Sequence, residues 1–188
     1  MHTTRFVTLT LAAGLLATVP LGTAGAQRAV ARPAPAPGAT SLRLGLVGGL
    51  SLPAGDLGHA ADAGAALGVR AEGPLRPARW SVRGDLAFDR FGGRGGVDAY
   101  SYASLAGSLV HREGVGRFYE YGGLGVYHAR TSFVDALTRS DTNLGVQFGI
   151  GATFTSRAPR WFAEAGFTSA FTSGRSSIWF PVRVGFWL

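Results

Sequence analysis

The chain has no cysteine and no lysine. The first absence excludes a disulfide framework and any thiolate metal site. The second leaves all 18 basic residues as arginine. They stand singly along the chain and form no basic cluster of the kind that follows a phosphate backbone, so the net charge of +7 does not argue for nucleic-acid binding. Long apolar runs are also scarce. The only one approaching helix length lies near the start of the chain, between Phe6 and Leu16, and no later segment could form a transmembrane helix.

Glycine and aromatic residues are abundant: 29 Gly, 12 Phe, 5 Tyr and 4 Trp. Frequent glycine among short alternating runs fits a sheet protein with tight turns and crowded interiors. The first residues read as a secretory signal peptide. A leader containing Arg5 precedes the apolar run, and Ala24-Gly25-Ala26 supplies the small residues that signal peptidase accepts, which predicts cleavage after Ala26. Residues 27–41, with Pro33, Pro35 and Pro37 among alanines, form a Pro/Ala-rich spacer. Residues 42–188 form one domain.

That domain carries eight segments with period-2 patterning, each about 9–12 residues, the length that crosses a bilayer at a tilt. In Leu42–Leu52 the leucines at 42, 44, 46, 50 and 52 oppose Arg43, Gly45, Gly49 and Ser51. In Ala65–Leu75, Leu67 and Val69 oppose Gly68, Arg70 and Glu72. In Trp80–Phe88, Val82, Leu86 and Phe88 oppose Ser81, Arg83, Asp85 and Ala87. Leu144–Phe154 sets Val146, Phe148 and Ile150 against a Gly-rich face. Trp161–Phe171 sets Ala163, Ala165 and Phe167 against Glu164, Gly166 and Thr168. The last strand places Ile178, Phe180, Val182, Val184, Phe186 and Leu188 opposite Pro181, Arg183 and Gly185, with Trp179 and Trp187 near its ends. Tyr100–Val110 and Phe118–His128 are strands whose phase the pattern leaves open. In the second of these, Glu120 facing inward would carry Leu124 and Val126 inward with it; either a bulge changes the phase or Glu120 sits at a membrane interface. Pro181 falls inside a strand, where its missing N–H breaks the ladder, and a bulge is the expected remedy.

The connections alternate in length. Pro74–Arg79, Arg112–Arg117 and Ser156–Arg160 are short and polar, and each is followed or closed by Arg and then an aromatic: Arg79-Trp80, Arg117-Phe118, Arg160-Trp161. With Phe186 and Trp187 at the same level, these residues form an expected aromatic girdle of Trp80, Phe118, Trp161, Phe186 and Trp187 at one interface. Pro53–Ala63 and Thr131–Thr142 read as longer loops at the other end, where Tyr100, Tyr102, Tyr127, Phe133 and Phe171 could supply a second girdle.

The segments Leu44–Leu57, Tyr121-Gly122-Gly123-Leu124-Gly125-Val126-Tyr127 and Phe180–Leu188, in this order after a signal peptide, resemble the small eight-stranded outer-membrane barrels of the OmpA/OmpX type. The resemblance implies an all-β, antiparallel, up-and-down transmembrane barrel over residues 42–188. It further implies a bacterial outer-membrane location, contact with membrane lipids and lipopolysaccharide, and recognition of the C-terminal strand by the outer-membrane assembly machinery. The family's assembly signal usually ends in Phe or Trp, whereas this chain has Leu188 after Trp187. A monomer without cofactor is expected.

Orientation decides the rest. With the apolar faces toward lipid, the inward faces carry Arg43, Arg70, Glu72, Arg83, Asp85, Glu164 and Arg183, with Glu120 and Asp89 less surely placed. An eight-stranded barrel is just wide enough for its own side chains, so these charges must pair in a closed ionic network. The opposite packing, a soluble barrel with an apolar interior, would leave the Gly-rich face outside and the end aromatics without a role.

Enzymatic candidates are thin. His59 lies between Asp56 and Asp62, a pattern more often solvated than metal-binding. His128 with Thr131 and Ser132 is the one catalytic candidate, because lipid A-modifying barrels use a His at such a level, but its spacing matches no motif. The expected function is structural or surface-interactive without enzymatic activity. A narrow porin-like channel is the alternative, and a lipid A-modifying enzyme is less favoured.

Overall fold

The computed structural model describes residues 42–76, 79–113, 117–135, 137–154, 160–172 and 175–188. The expected signal peptide and spacer lie outside them. The described residues form eight strands: β1 (Arg43–Ala54), β2 (Ala61–Pro74), β3 (Trp80–Gly93), β4 (Val97–Arg112), β5 (Phe118–Phe133), β6 (Thr138–Thr153), β7 (Arg160–Thr172) and β8 (Arg175–Trp187). Each pairs antiparallel with its sequence neighbour, and β8 closes on β1 from Gly45↔Trp187 to Ala54↔Ile178. Closure removes every free sheet edge, which a β structure surrounded by hydrocarbon requires. The end carrying the start of β1 and the end of β8 is called the terminal end below, and the other the distal end.

The apolar side chains face outward. Leu50, Leu67, Leu86, Leu105, Leu124, Leu144, Ile150 and Val184 are all exposed, whereas Arg70 and Arg83 are buried at 3% and 1% relative exposure. This inverts the arrangement of a soluble protein, where large apolar residues cluster inside and charges stay wet. A continuous apolar wall of this size is stable only against lipid, and the chain is a transmembrane β-barrel.

The two strands of open phase are resolved without a bulge in their central stretches. In β4 the even positions Tyr102, Ser104, Ala106, Ser108 and Val110 face inward and Leu105 and Leu109 face outward. In β5, Tyr119 and Tyr127 are buried, while Glu120, Leu124 and Val126 are exposed. Glu120 therefore stands on the outer wall near the terminal end, where it meets His111 Nδ1 at 3.1 Å, and not in the lumen. Pro181 needs no bulge either. The pairs Ala165↔Val182 and Thr168↔Trp179 on its two sides share one register, so the ladder lapses beside Pro181 and resumes unshifted.

The distal connections are shorter than the sequence pattern suggests, because the strands run on. β5 continues to Phe133 and β6 begins at Thr138. The segment after β1 is a helix, α1 (Gly55–Ala60), whose Leu57 is buried. Asp56 lies in its first turn, where a carboxylate opposes the positive end of the helix dipole. Between β3 and β4 the turn is made by Gly95 and Gly96, both at positive φ (62° and 88°), a backbone that other residues adopt only under strain.

Candidate functional site

The lumen is filled in layers. At the terminal end, Glu72 of β2 is bonded by Arg43 of β1 at 2.6 Å, by Arg112 of β4 at 2.7 Å and by Ser81 at 2.8 Å, with Arg83 at 3.3 Å. One step further in, Glu164 of β7 receives Arg70 through two guanidinium nitrogens at 2.7 and 2.9 Å. Arg83 joins the same carboxylate at 2.8 Å, and the Tyr119 hydroxyl donates to it at 2.8 Å. The remaining nitrogen of Arg70, Nε, bonds Asp85 at 2.7 Å. Toward the middle, Arg183 of β8 reaches Asp89 of β3 at 3.2 Å, and Ser51 also donates to Asp89.

Five guanidiniums thus meet four carboxylates, and each carboxylate is held by at least one arginine. Such pairing is what makes burial of the charges tolerable, since an ion removed from water without a partner costs several kcal/mol. Arginine suits the task because its planar fork satisfies two carboxylates or both oxygens of one. Aromatic faces cover the cations as well: Arg43 lies 4.8 Å from the Trp187 ring, Arg70 4.9 Å from Phe162 and Arg83 4.9 Å from Tyr121.

These bonds cross the lumen. β3 and β7 are four strands apart in either direction around the closed sheet, so the Arg83–Glu164 pair spans its full width. Glycines opposite the large residues give them room. A Cβ at Gly151 would come within 2.4 Å of the Tyr119 ring, and one at Gly166 within 2.6 Å of the Tyr121 hydroxyl.

Above the ionic layers the distal third is closed by aromatics. Trp179 of β8 packs against Phe91, Tyr102 and Tyr127 with ring centroids 4.9–6.1 Å apart, and Leu57 of α1 joins the cluster. The Tyr102 hydroxyl donates to Ser177 at 2.9 Å, joining β4 to β8, which are also on opposite walls. Over this plug lies an open basin of about 650 Å³, lined among others by Asp56, Tyr100, Arg139, Asp141 and Ser177.

The structure brings Arg43, Arg70, Glu72, Arg83, Asp85, Glu164 and Arg183 together in the lumen. It separates Glu120 from them. It adds Asp89, Arg112 and Tyr119, of which only Asp89 was weighed from sequence. Arg112 was legible in principle, because it continues the inward phase of Ser104, Ser108 and Val110, but the apolar alternation of β4 is too weak to set that phase alone. Of the proposed girdle, Trp80, Phe118 and Trp161 are exposed on the outer wall near the terminal end, and Phe186 packs on Trp161 at 5.2 Å. Trp187 does not join them. It is 4% exposed, points inward and packs on Phe162 and Arg43, because one residue of offset from Phe186 reverses the face. Tyr102 and Tyr127 likewise belong to the internal plug and not to a distal girdle, while Phe171 is exposed on the outer wall.

The catalytic candidates stay apart from one another. His59 is exposed on α1. His128 lies on the outer wall, with Nδ1 2.8 Å from the Thr142 hydroxyl. Among the described residues no group of three or more His, Asp or Glu could hold a metal ion.

The closed lumen and lipid-facing wall define the class: this is a small eight-stranded transmembrane β-barrel. Solved structures agree on the fold. Neisserial surface protein A superposes with a TM-score of 0.58 at 12% identity, covering 78% of this chain and 96% of that one. Ail of Yersinia pestis, solved in complex with the heparin analogue sucrose octasulfate, gives 0.52 at 15% identity over 78% and 96%. The N-terminal barrel of Pseudomonas aeruginosa OprF gives 0.50 at 14% identity over 79% and 98%. No protein-family model matches the chain, and no curated protein matches it in sequence.

Proposed function

We propose that this chain is an integral barrel of the bacterial outer membrane with a structural and surface-interacting role, a lumen that does not conduct, and no enzymatic activity. The observation that carries this reading is the Glu164 carboxylate, held from three other strands by Arg70, Arg83 and Tyr119. A pore needs a continuous wet path, and here charge pairs and then an aromatic plug occupy successive levels. Residues 1–26 are the signal peptide, residues 27–41 a spacer, and the terminal end faces the periplasm, as the resemblance to OmpA/OmpX-type barrels implies. The distal end, with α1 and the basin above Trp179, then faces outward and carries contact with lipopolysaccharide or external partners. The assembly machinery reads the C-terminal strand, and the barrel acts as a monomer.

Planar-bilayer recording of the purified, refolded barrel tests the lumen. A silent bilayer is the expected result, and steady, reproducible openings of the wild-type protein would overturn the reading.

A further inference from the structure

The outer wall carries an arginine-flanked cleft just distal to the apolar band. Arg90 of β3, Ser101 of β4 and Arg130 of β5 are direct cross-strand neighbours, Arg90↔Ser101 and Ser101↔Arg130, and so form one row across three strands. The row faces lipid or headgroup, because Leu86, Phe88, Leu105, Leu124 and Val126 share its face and are exposed. Small residues at the centre, Ser101 and Ala103, leave a depression between the two arginines. With Phe88 and His128 they border a cleft of about 420 Å³.

The charges in the cleft lack the close carboxylate partners that the lumen arginines have. Inside the barrel every arginine of the network is held by a carboxylate at 3.3 Å or less. Outside, Arg90 has only a 3.8 Å contact to Asp98, with both side chains more than 60% exposed. Arg130 has no ion pair among the described residues. His128 is held by the Thr142 hydroxyl, and the nearby Asp141 carboxylate accepts from the Thr142 backbone N–H. Strands two apart are separated by about 10 Å. Two long guanidinium side chains starting at that distance can close on one tetrahedral oxyanion above the Ser101 hydroxyl.

We propose that Arg90 and Arg130, with Ser101 between them, clamp the phosphate of a membrane lipid headgroup. Phosphate is the chemistry the fork geometry of two arginines recognises. The lipid, and not a free phosphate, follows from the lower edge of the cleft, where Phe88, Leu105 and Val126 offer an exposed apolar surface continuous with the barrel wall for an acyl chain. The site rests on the outward placement of the distal end made above, which surface labelling of that end tests separately.

The test uses the refolded barrel in neutral detergent and native mass spectrometry to read bound lipid. The probes are bis-phosphorylated lipid A, its phosphate-free analogue and inorganic phosphate. Wild type is expected to retain lipid A and to release it in the Arg90→Gln/Arg130→Gln variant, with a loss of about tenfold per arginine, the size expected of a charge-assisted contact. Both positions are exposed, so folding is expected to survive, and heat-modifiable gel mobility checks that it does. An Arg79→Gln/Arg117→Gln variant removes the same charge from exposed positions at the terminal end and should retain lipid A like wild type. The proposal is overturned if the two double variants lose lipid equally, if the phosphate-free analogue binds wild type as well as lipid A does, or if inorganic phosphate displaces the lipid. The last outcome would mark a free-phosphate site. A conducting lumen would overturn the reading of the interior and leave this test unaffected.

Discussion

Arg83 on β3 reaches Glu164 on β7 at 2.8 Å, across the full width of the barrel. The same carboxylate holds Arg70 and Tyr119, so one side chain terminates contacts from three other strands. This concentration makes Glu164, like Glu72, a position where one substitution disturbs several strands at once.

Glu164→Ala should therefore cost about 3–5 kcal/mol of unfolding free energy, because it leaves two buried guanidiniums short of their partner. Urea unfolding in phosphatidylcholine vesicles, followed by tryptophan fluorescence, measures it. A loss below about 1 kcal/mol would show that the cations can rehydrate in place.

Removing both ends of the pair should be milder than the two single losses added together, since neither charge is then stranded. The Arg83→Ala/Glu164→Ala variant is also expected to open the ionic layer. It should pass small, brief currents in a planar bilayer where wild type is silent, unless the aromatic plug alone seals the lumen, in which case adding Trp179→Ala should produce them. A triple variant as silent as wild type would count against side chains as the seal.

Trp179 is 1% exposed and touches Phe91, Tyr102 and Tyr127. Trp179→Ala should cost about 3–5 kcal/mol, the usual range for a large aromatic removed from a packed site. The same vesicle unfolding assay reads the value. A near-neutral result would mean that the distal plug is loosely packed.

Two glycines should respond in opposite directions to the same methyl group. At Gly151 a Cβ would come within 2.4 Å of the Tyr119 ring, so Gly151→Ala should destabilise by about 1–3 kcal/mol. At Gly84 on the outer wall nothing lies within 4 Å of the added atom, so Gly84→Ala should be neutral or stabilise by about 0.4–1 kcal/mol. Paired unfolding curves decide it, and equal effects at both positions would contradict the assignment of inner and outer faces.

Because the chain has no cysteine, a single introduced thiol can report orientation. Val134→Cys, at an exposed position in the β5–β6 turn, should react with a membrane-impermeant maleimide on intact cells. Arg117→Cys, at the other end, should react only after the outer membrane is permeabilised. The reverse pattern would invert the proposed topology.

Strand order and the two faces were legible wherever large apolar residues alternate with charges or glycine. β1, β3 and β6 are examples, because a lipid-facing wall demands Leu, Val, Phe or Ile at every second position. β4 and β5 were ambiguous because serine, alanine and glycine occupy both faces there, and a period read from small residues carries little phase. Most of the ionic network followed from phase alone. Glu120 did not, because a charge at a strand end can lie in headgroups as easily as in the lumen. The girdle failed at Trp187 for a related reason: grouping aromatics by level along the chain ignores that neighbours in a strand face opposite ways. The aromatic plug was missed because Tyr102 and Tyr127 read as interface residues, Trp179 reads only as a residue near a strand end, and Phe91 lies beyond the alternating run of its strand. Only their shared inward phase with Asp89, Ser104 and Arg183 distinguishes them.

The Tyr102–Ser177 bond joins β4 to β8, while Arg83–Glu164 joins β3 to β7 at a lower level. These two crossbars are offset by one strand, about an eighth of a turn. A cylinder braced along two diameters resists flattening along either. Lateral squeezing by the surrounding bilayer is then borne by polar side chains in the interior, and the backbone ladder is spared the bending that would loosen its seams.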